Sequence, residues 1–170
     1  MKHIIDISII IPVFNEEDSI VELNNQIISS ISEKYSFEII YVNDGSTDTS
    51  KNIIESILEN NPHIKLISFY ENKGKSEALN VGFKKATGNI IITLDSDLQD
   101  DPQEFDKLIN KINTGFDMVS GWKKDRKDPI SKTFPSKIFN FALKIITNIK
   151  IHDFNCGIKA YKSHVIKSIN

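Results

Sequence analysis

Residues Asn89–Glu104, NIIITLDSDLQDDPQE, decide how this chain is read. Ile90, Ile91, Ile92, Thr93 and Leu94 form an apolar, largely β-branched run of the length expected of a buried strand. It stops abruptly in acid, at Asp95, Asp97, Asp100 and Asp101. Residues two apart on an extended chain point the same way, so Asp95 and Asp97 aim both carboxylates at one point just past the strand end. That pattern suits a hard divalent cation, Mg²⁺ or Mn²⁺, which takes oxygen ligands and needs only one or two carboxylates beside a substrate phosphate. The next helix start is equally legible, with Asp101 as N-cap, Pro102 as first helical residue and Glu104 as reciprocal partner of a capping box. Capping accounts for Asp100 and Asp101. It leaves Asp95 and Asp97 unexplained, because neither is needed to start a helix several residues later.

Working back toward the N-terminus, the same alternation repeats. Ile7 to Val13 is a continuous apolar strand, as expected where both faces of a parallel sheet are covered, and Pro12 marks where its ladder stops. A polar turn, Phe14-Asn15-Glu16-Glu17-Asp18, leads to a helix with Ile20, Leu23, Ile27 and Ile31 on one face. Phe37 to Val42 reads as a second strand, and the turn cluster Asn43 to Asp48 opens a helix carrying Ile53, Ile54, Ile57 and Leu58. Ile64 to Phe69 gives a third strand, and Glu77 to Ala86 a helix closed by Gly88. After the helix Pro102 to Ile112 comes a short strand, Asp117 to Ser120. The expected fold is α/β, a doubly wound, mostly parallel sheet with helices on both faces. Ligands of such sheets sit outside the carboxyl ends of the strands, where Asn15-Glu16, Asn43-Asp44 and Asp95-Asp97 all fall. Three acidic ends on one rim repel one another unless a cation or polar ligand answers them.

Composition narrows the function classes. At 170 residues with 39% apolar content the chain is expected to bury one core as a single domain. A net charge of -2 and the lack of a recognition motif argue against nucleic acid as a partner. The single cysteine, Cys156, excludes an intrachain disulfide, and the four histidines lack metal-ligand spacing. No stretch approaches the length of a membrane span, so the chain as it stands is expected to be soluble. From Trp122 onward the character changes: Lys123 to Lys137 carries a local balance of +4 with Pro129 and Pro135, an irregular basic loop. It is either a solvated loop or a phosphate grip, with Arg126 favoured for its planar fork. A helix from about Ser136 to Asn148 either packs on the core, the expected reading, or lies on a membrane surface, and the stretch after Asp153 is expected to give a short strand or turn and a basic helix start.

Four segments in register, IIIPVFNEE, VNDGSTD, NKGKSEALNVGFKKATG and LDSDLQDDP, resemble family 2 glycosyltransferases of the GT-A fold, which use nucleotide-sugar donors. SGWKKDRKDPISK followed by FNCGIKAYK looks like the branch that loads a polyprenyl phosphate, similar to bactoprenol glucosyltransferases and dolichol-phosphate mannose synthases. The resemblance runs from about Ile7 to Lys162. It implies a single GT-A catalytic domain over residues 1–170, with 1–100 as the nucleotide-sugar half and 101–170 as the start of the acceptor half. It also implies a C-terminal truncation relative to relatives that carry membrane helices there. The full protein is then expected in the cytoplasm or on the cytoplasmic face of a membrane.

Carried over by position, the resemblance gives Pro12, Glu16 and Asp44 to the nucleoside, and Asn15 and Lys75 to donor binding with them. Asp95 matches the first acid of the DXD motif, near the ribose and the metal, and Asp97 the second, metal-binding acid. Gln99 matches a further metal or diphosphate contact. Arg126 matches a basic position near the acceptor phosphate, while Lys159 stands where relatives often have Arg. The implied reaction is a single displacement with inversion, from a UDP-sugar or else a GDP-sugar. A lipid phosphate arrives already anionic and needs positioning and charge screening, whereas a sugar hydroxyl needs a general base. Asp153 alone stands where hydroxyl-acceptor members place such a base, which favours the phosphate acceptor. A hydroxyl-acceptor transferase of polysaccharide or cell-wall glycan synthesis and a non-catalytic nucleotide-binding domain are the alternatives. A nucleotidyltransferase fits worse, since the loop after the first strand is acidic FNEEDS where a triphosphate needs basic residues.

Overall fold

A computed structural model of the chain describes residues 5–31, 33–122 and 156–168. Strands β1 (Ile7–Val13), β2 (Phe37–Asn43), β3 (Ile64–Ser68) and β4 (Ile90–Thr93) alternate with helices α1 (Ile20–Ile31), α2 (Ser50–Leu58) and α3 (Lys75–Lys85). After α4 (Phe105–Asn113) come β5 (Met118–Ser120), β6 (Lys159–Lys162) and the short α5 (Ser163–Lys167). The sheet order is β3-β2-β1-β4-β6-β5. Its first four strands are parallel; β6 runs antiparallel between β4 and β5.

The central strands β1 and β4 are almost wholly apolar because helices cover both faces. Ile7, Ile9, Ile11 and Val13 of β1 pack with α1, α2 and α4, whereas Ile10 packs on the opposite side with Ala78 of α3 and Ile166 of α5. The helix stripe read from spacing is the observed one: Ile20, Leu23, Ile27 and Ile31 are all buried. Each such side chain contributes about 1.5–3 kcal/mol by leaving water. Toward β2 the ladder of β1 continues through Val13↔Asn43, but toward β4 it ends at Ile10↔Thr93. Pro12 therefore sits where its missing N–H faces the side on which pairing has already stopped.

Three local expectations need correction. Residues 102–112 do not form one helix: Pro102–Glu104 is a 3₁₀ turn capped by Asp101, whose side chain accepts from the Gln103 N–H. Glu104 does not reach back to complete a capping box; its Oε1 pairs with Lys107 Nζ at 2.6 Å. Gly88 does not close α3, which ends in an extended Ala86 (φ -65°, ψ 133°). Gly88 instead lies against Ser8, to whose hydroxyl its N–H donates at 2.8 Å.

At that same end of the sheet, remote from the acidic rim, Glu38 of β2 is 2% exposed. Its carboxylate accepts from Ser8 Oγ (2.5 Å), Thr87 N–H (2.7 Å), Thr87 Oγ1 (2.8 Å) and Lys65 Nζ (2.5 Å). A buried charge is tolerated only when so surrounded. Among the described residues no helix is long and apolar enough to cross a membrane. The basic loop 123–137 and the helix expected over 136–148, and with them Arg126 and Asp153, lie outside the described residues.

Candidate functional site

Strand order reverses between β1 and β4, since β2 and β3 are added on one side of β1 and β4 on the other. A cleft of about 410 Å³ opens at the carboxyl ends of these strands, the position that doubly wound sheets use for ligands. Pro12, Glu16, Asp44, Lys75, Asp95 and Asp97 all line it. Six candidates scattered over 86 positions of sequence thus share one cavity.

Beyond β4, Ser96 is buried and donates its hydroxyl to the Pro12 carbonyl at 3.1 Å. Asp95 and Asp97, on either side of it, line the cleft, so the two-residue alternation persists past the strand end. Asp97 Oδ1 accepts from the Gln99 N–H at 3.1 Å, which folds the turn, and Leu98 between them is left-handed with φ 60°. A leucine in that region costs on the order of 1 kcal/mol, so the turn is held against local preference. Gln99 itself is exposed on the turn and is not among the residues lining the cleft.

The loops after β1 and β2 are laced together. Asn15, also left-handed (φ 56°), accepts on Oδ1 from the Thr47 N–H at 2.8 Å. The Glu16 N–H donates to Ser50 Oγ at 2.9 Å, and Glu17 Oε2 accepts from the Thr49 N–H at 2.9 Å. Asn15 and Glu17 are exposed and act on the neighbouring loop, while Glu16 between them faces the cleft. Asp44, 3% exposed, accepts with Oδ1 from the Lys73 N–H (2.7 Å) and with Oδ2 from the Gly74 N–H (2.9 Å). It therefore fixes the loop that delivers Lys75. Gly45 (φ +71°) admits that loop, because a Cβ there would lie 2.4 Å from the Glu71 carbonyl carbon.

Electrostatically the rim is under tension. Burial pushes the Glu16 carboxyl above its ordinary 4.5; the Ser19 hydroxyl lowers it, and the nearby charges of Asp97, Asp48 and Asp95 raise it further. Lys75 Nζ meets Asp95 Oδ1 at 2.5 Å and offsets part of this charge. Among the described residues no group of three or more His, Cys, Asp or Glu side chains forms a cage for a metal ion. Two carboxylates on an open rim instead fit a Mg²⁺ or Mn²⁺ shared with a ligand diphosphate, and added positive charge is what the Glu16 environment calls for. Because its folded-state pKa is raised, Glu16 costs stability as pH rises above 4.5. Glu16→Gln is therefore expected to raise the melting temperature of the metal-free protein at pH 7, with the gain fading below about pH 4.5. Thermal melts across pH 4–8 check this.

The sequence signature of Glycosyl transferase family 2 matches residues 8–169. The chain belongs to that family. Among curated family members it is 37% identical to the undecaprenyl-phosphate 4-deoxy-4-formamido-L-arabinose transferase of Shewanella sediminis (strain HAW-EB3), over 99% of this chain and 53% of the relative. It is 31% identical to the dodecaprenyl-phosphate galacturonate synthase of Rhizobium johnstonii, over 97% of this chain and 50% of that one. The chain spans about half the length of the curated relatives it matches. In fold it is similar to the mannosyltransferase PcManGT of Pyrobaculum calidifontis, solved with GDP-Man and Mn²⁺: TM-score 0.73, 21% identity, 99% of this chain and 48% of that one. It is likewise similar to glucosyl-3-phosphoglycerate synthase of Mycobacterium tuberculosis, solved with Mn²⁺, UDP and glucosyl-3-phosphoglycerate: TM-score 0.71, 21% identity, 95% of this chain and 58% of that one. The family 2 chain thus has the GT-A fold, and its relatives include members of the polyprenyl-phosphate branch.

Sequence reasoning passed over Phe14, Asn72, Gly74 and Ser96, which also line the cleft. Ser96 was within reach, since strict alternation between Asp95 and Asp97 puts it on the opposite, inward side.

Proposed function

We propose that this chain is the catalytic domain of an inverting, metal-dependent transferase that moves a sugar from a nucleoside diphosphate to a polyprenyl phosphate. The observation that carries the donor half is the convergence of Glu16, Asp95, Asp97 and Lys75 on one cleft at the switch point of the sheet. Asp97 and Asp95 would hold the cation, which, when bound, offsets the negative charge that builds on the departing diphosphate. Lys75 lines the same cleft, and its ammonium would screen the same oxygens. Asp44, when ionised, only accepts hydrogen bonds, so a base reaching it must offer an N–H donor, which the ring N–H of uracil and of guanine both supply. A UDP-sugar is the first donor to test and a GDP-sugar the second.

The acceptor half rests on the relatives, two of which carry undecaprenyl phosphate or dodecaprenyl phosphate in their names. Such a phosphate is its own nucleophile and needs no general base. The basic run from Lys123 to Lys137 supplies the screening its approach requires, with Arg126 as the planar contact. The reaction then takes place at the cytoplasmic face of a membrane. Arg126→Ala is expected to raise the KM for the lipid phosphate by about tenfold while leaving nucleotide affinity unchanged. An equal loss of both would remove Arg126 from the acceptor site. The whole proposal is tested by incubating the protein with labelled UDP-sugars and GDP-sugars, Mn²⁺ and polyprenyl phosphate vesicles. Label appearing in a lipid that mild acid releases supports it; label appearing only in free sugar or in an acid-stable glycan contradicts it.

A further inference from the structure

Cys156-Gly157-Ile158 leads into β6, which lies beside β4 in the sheet. The Thr93 hydroxyl donates to the Gly157 carbonyl at 2.9 Å, in a buried position, and so fixes this segment to the last residue of β4. Two residues further on, Asp95 rests directly on Gly157. A Cβ added there would lie 2.4 Å from both Asp95 Cγ and Asp95 Oδ2, and 2.6 Å from Asp100 Oδ2. Non-bonded carbon atoms settle at about 3.5–4.0 Å, so these positions exclude one another. The backbone of Gly157 is not left-handed, unlike Gly45, Gly74 and Gly115, so alanine meets no positive-φ penalty there. Space alone selects glycine.

We propose that Gly157 is a positioning residue for the donor reaction: its bare Cα is the floor that sets where the Asp95 carboxylate stands. Lys75 holds Oδ1 from the cleft side, and Gly157 supports Oδ2 from beneath. The carboxylate is thereby confined between Lys75 and Gly157, and Oδ1 stays toward the cleft. Thr93 acts one step further out, by holding Gly157 against β4. A side chain at 157 turns the Asp95 carboxylate out of line with Asp97 while the strands stay paired. The inference rests on the donor-site reading above for its functional consequence, though not for the contact itself.

Gly157→Ala tests it by two readouts. In calorimetry with Mn²⁺ and UDP or GDP, the variant should bind at least about tenfold more weakly than the parent chain, the loss usual when the support of a metal ligand is disturbed. In metal-free thermal melts, a cycle of Gly157→Ala, Asp95→Ala and the double variant should show that removing the Asp95 side chain recovers most of the melting temperature that the alanine costs. Parent-like Mn²⁺-dependent affinity in Gly157→Ala would overturn the proposal. So would a cycle without recovery, which would assign the clash to Asp100 or to backbone. If the parent chain itself binds no nucleotide, the donor-site reading fails, and the melting cycle still decides whether Gly157 positions Asp95. If Gly157→Ala fails to fold, recovery of folding in the double variant supports the contact and continued failure refutes it.

Discussion

Asp97→Ala is expected to abolish Mn²⁺-dependent nucleotide binding while shifting the melting temperature by no more than about 2 °C. The asymmetry follows from where the side chain sits. Asp97 is exposed at the mouth of the cleft, and among the described residues its structural duty is to accept from the Gln99 N–H. Losing that bond loosens a turn already held in a left-handed Leu98, but losing the charge relieves Glu16, whose carboxyl it helps to raise. The two effects oppose each other in stability. They do not oppose each other in binding, where removing one of two carboxylates that would hold the cation should cost on the order of a hundredfold or more. Asp97→Asn separates turn from charge, because its amide oxygen can still accept from Gln99 while the negative charge is gone. It should bind no better than the alanine variant. Mn²⁺-dependent binding that survives in both would remove Asp97 from the ion's site.

Glu38→Ala should have the largest effect on folding. Its four donors come from β1, β3 and the Thr87 turn before β4, so one carboxylate ties three neighbouring parts of the sheet together. Without it Ser8 and the Thr87 N–H lose a buried acceptor, and Lys65, itself half-exposed, turns to solvent. The expected loss is about 3 kcal/mol, or roughly 10 °C in melting temperature for a domain of this size. Burial by itself would raise the Glu38 pKa; the bonds from Lys65, Ser8 and Thr87 outweigh it, so the net shift is below 4.5. A lowered folded-state pKa gives stability that is complete above 4.5 and is lost as pH falls through the folded value. The gap between parent and Glu38→Gln should therefore be widest near neutral pH and close in acid. Chemical denaturation at pH 7 and at successively lower pH measures it, and a constant gap would show that the charge contributes nothing. Donor binding should persist in either variant, because the cluster lies at the end of the sheet away from the cleft.

Much of this was open to reading because the sheet is parallel and doubly covered. Continuous runs such as Ile7–Val13 and Ile90–Thr93 leave no choice of face, and the stripe Ile20, Leu23, Ile27 and Ile31 fixes the helix beside them. Strand-to-helix turns then collect at one rim by topology alone, so Glu16, Asp44 and Asp95 could be gathered before any geometry was known. What stayed hidden depends on partners distant in sequence. Asp44 reads as a nucleoside contact in a turn, and nothing local shows that each of its oxygens also accepts a backbone N–H, from Lys73 and from Gly74. Asn15 looks like a ligand-binding amide, yet it holds Thr47. Glu38 is an acid inside an apolar strand, and only the meeting of Ser8, Lys65 and Thr87 explains it. Gly157 carries no local signal, because its neighbour Asp95 is met only when β6 pairs antiparallel with β4. Antiparallel entry of a late strand into a parallel sheet is not written in hydrophobic period.

If, as proposed, the cleft binds a nucleoside diphosphate through a divalent cation held by Asp95 and Asp97, calorimetric titration of the chain with UDP and with GDP, each with and without Mn²⁺, reads that binding out. The expected result is binding of one nucleotide that requires Mn²⁺ and disappears on chelation. Equal binding with and without the metal, or no binding of either nucleotide, would contradict it.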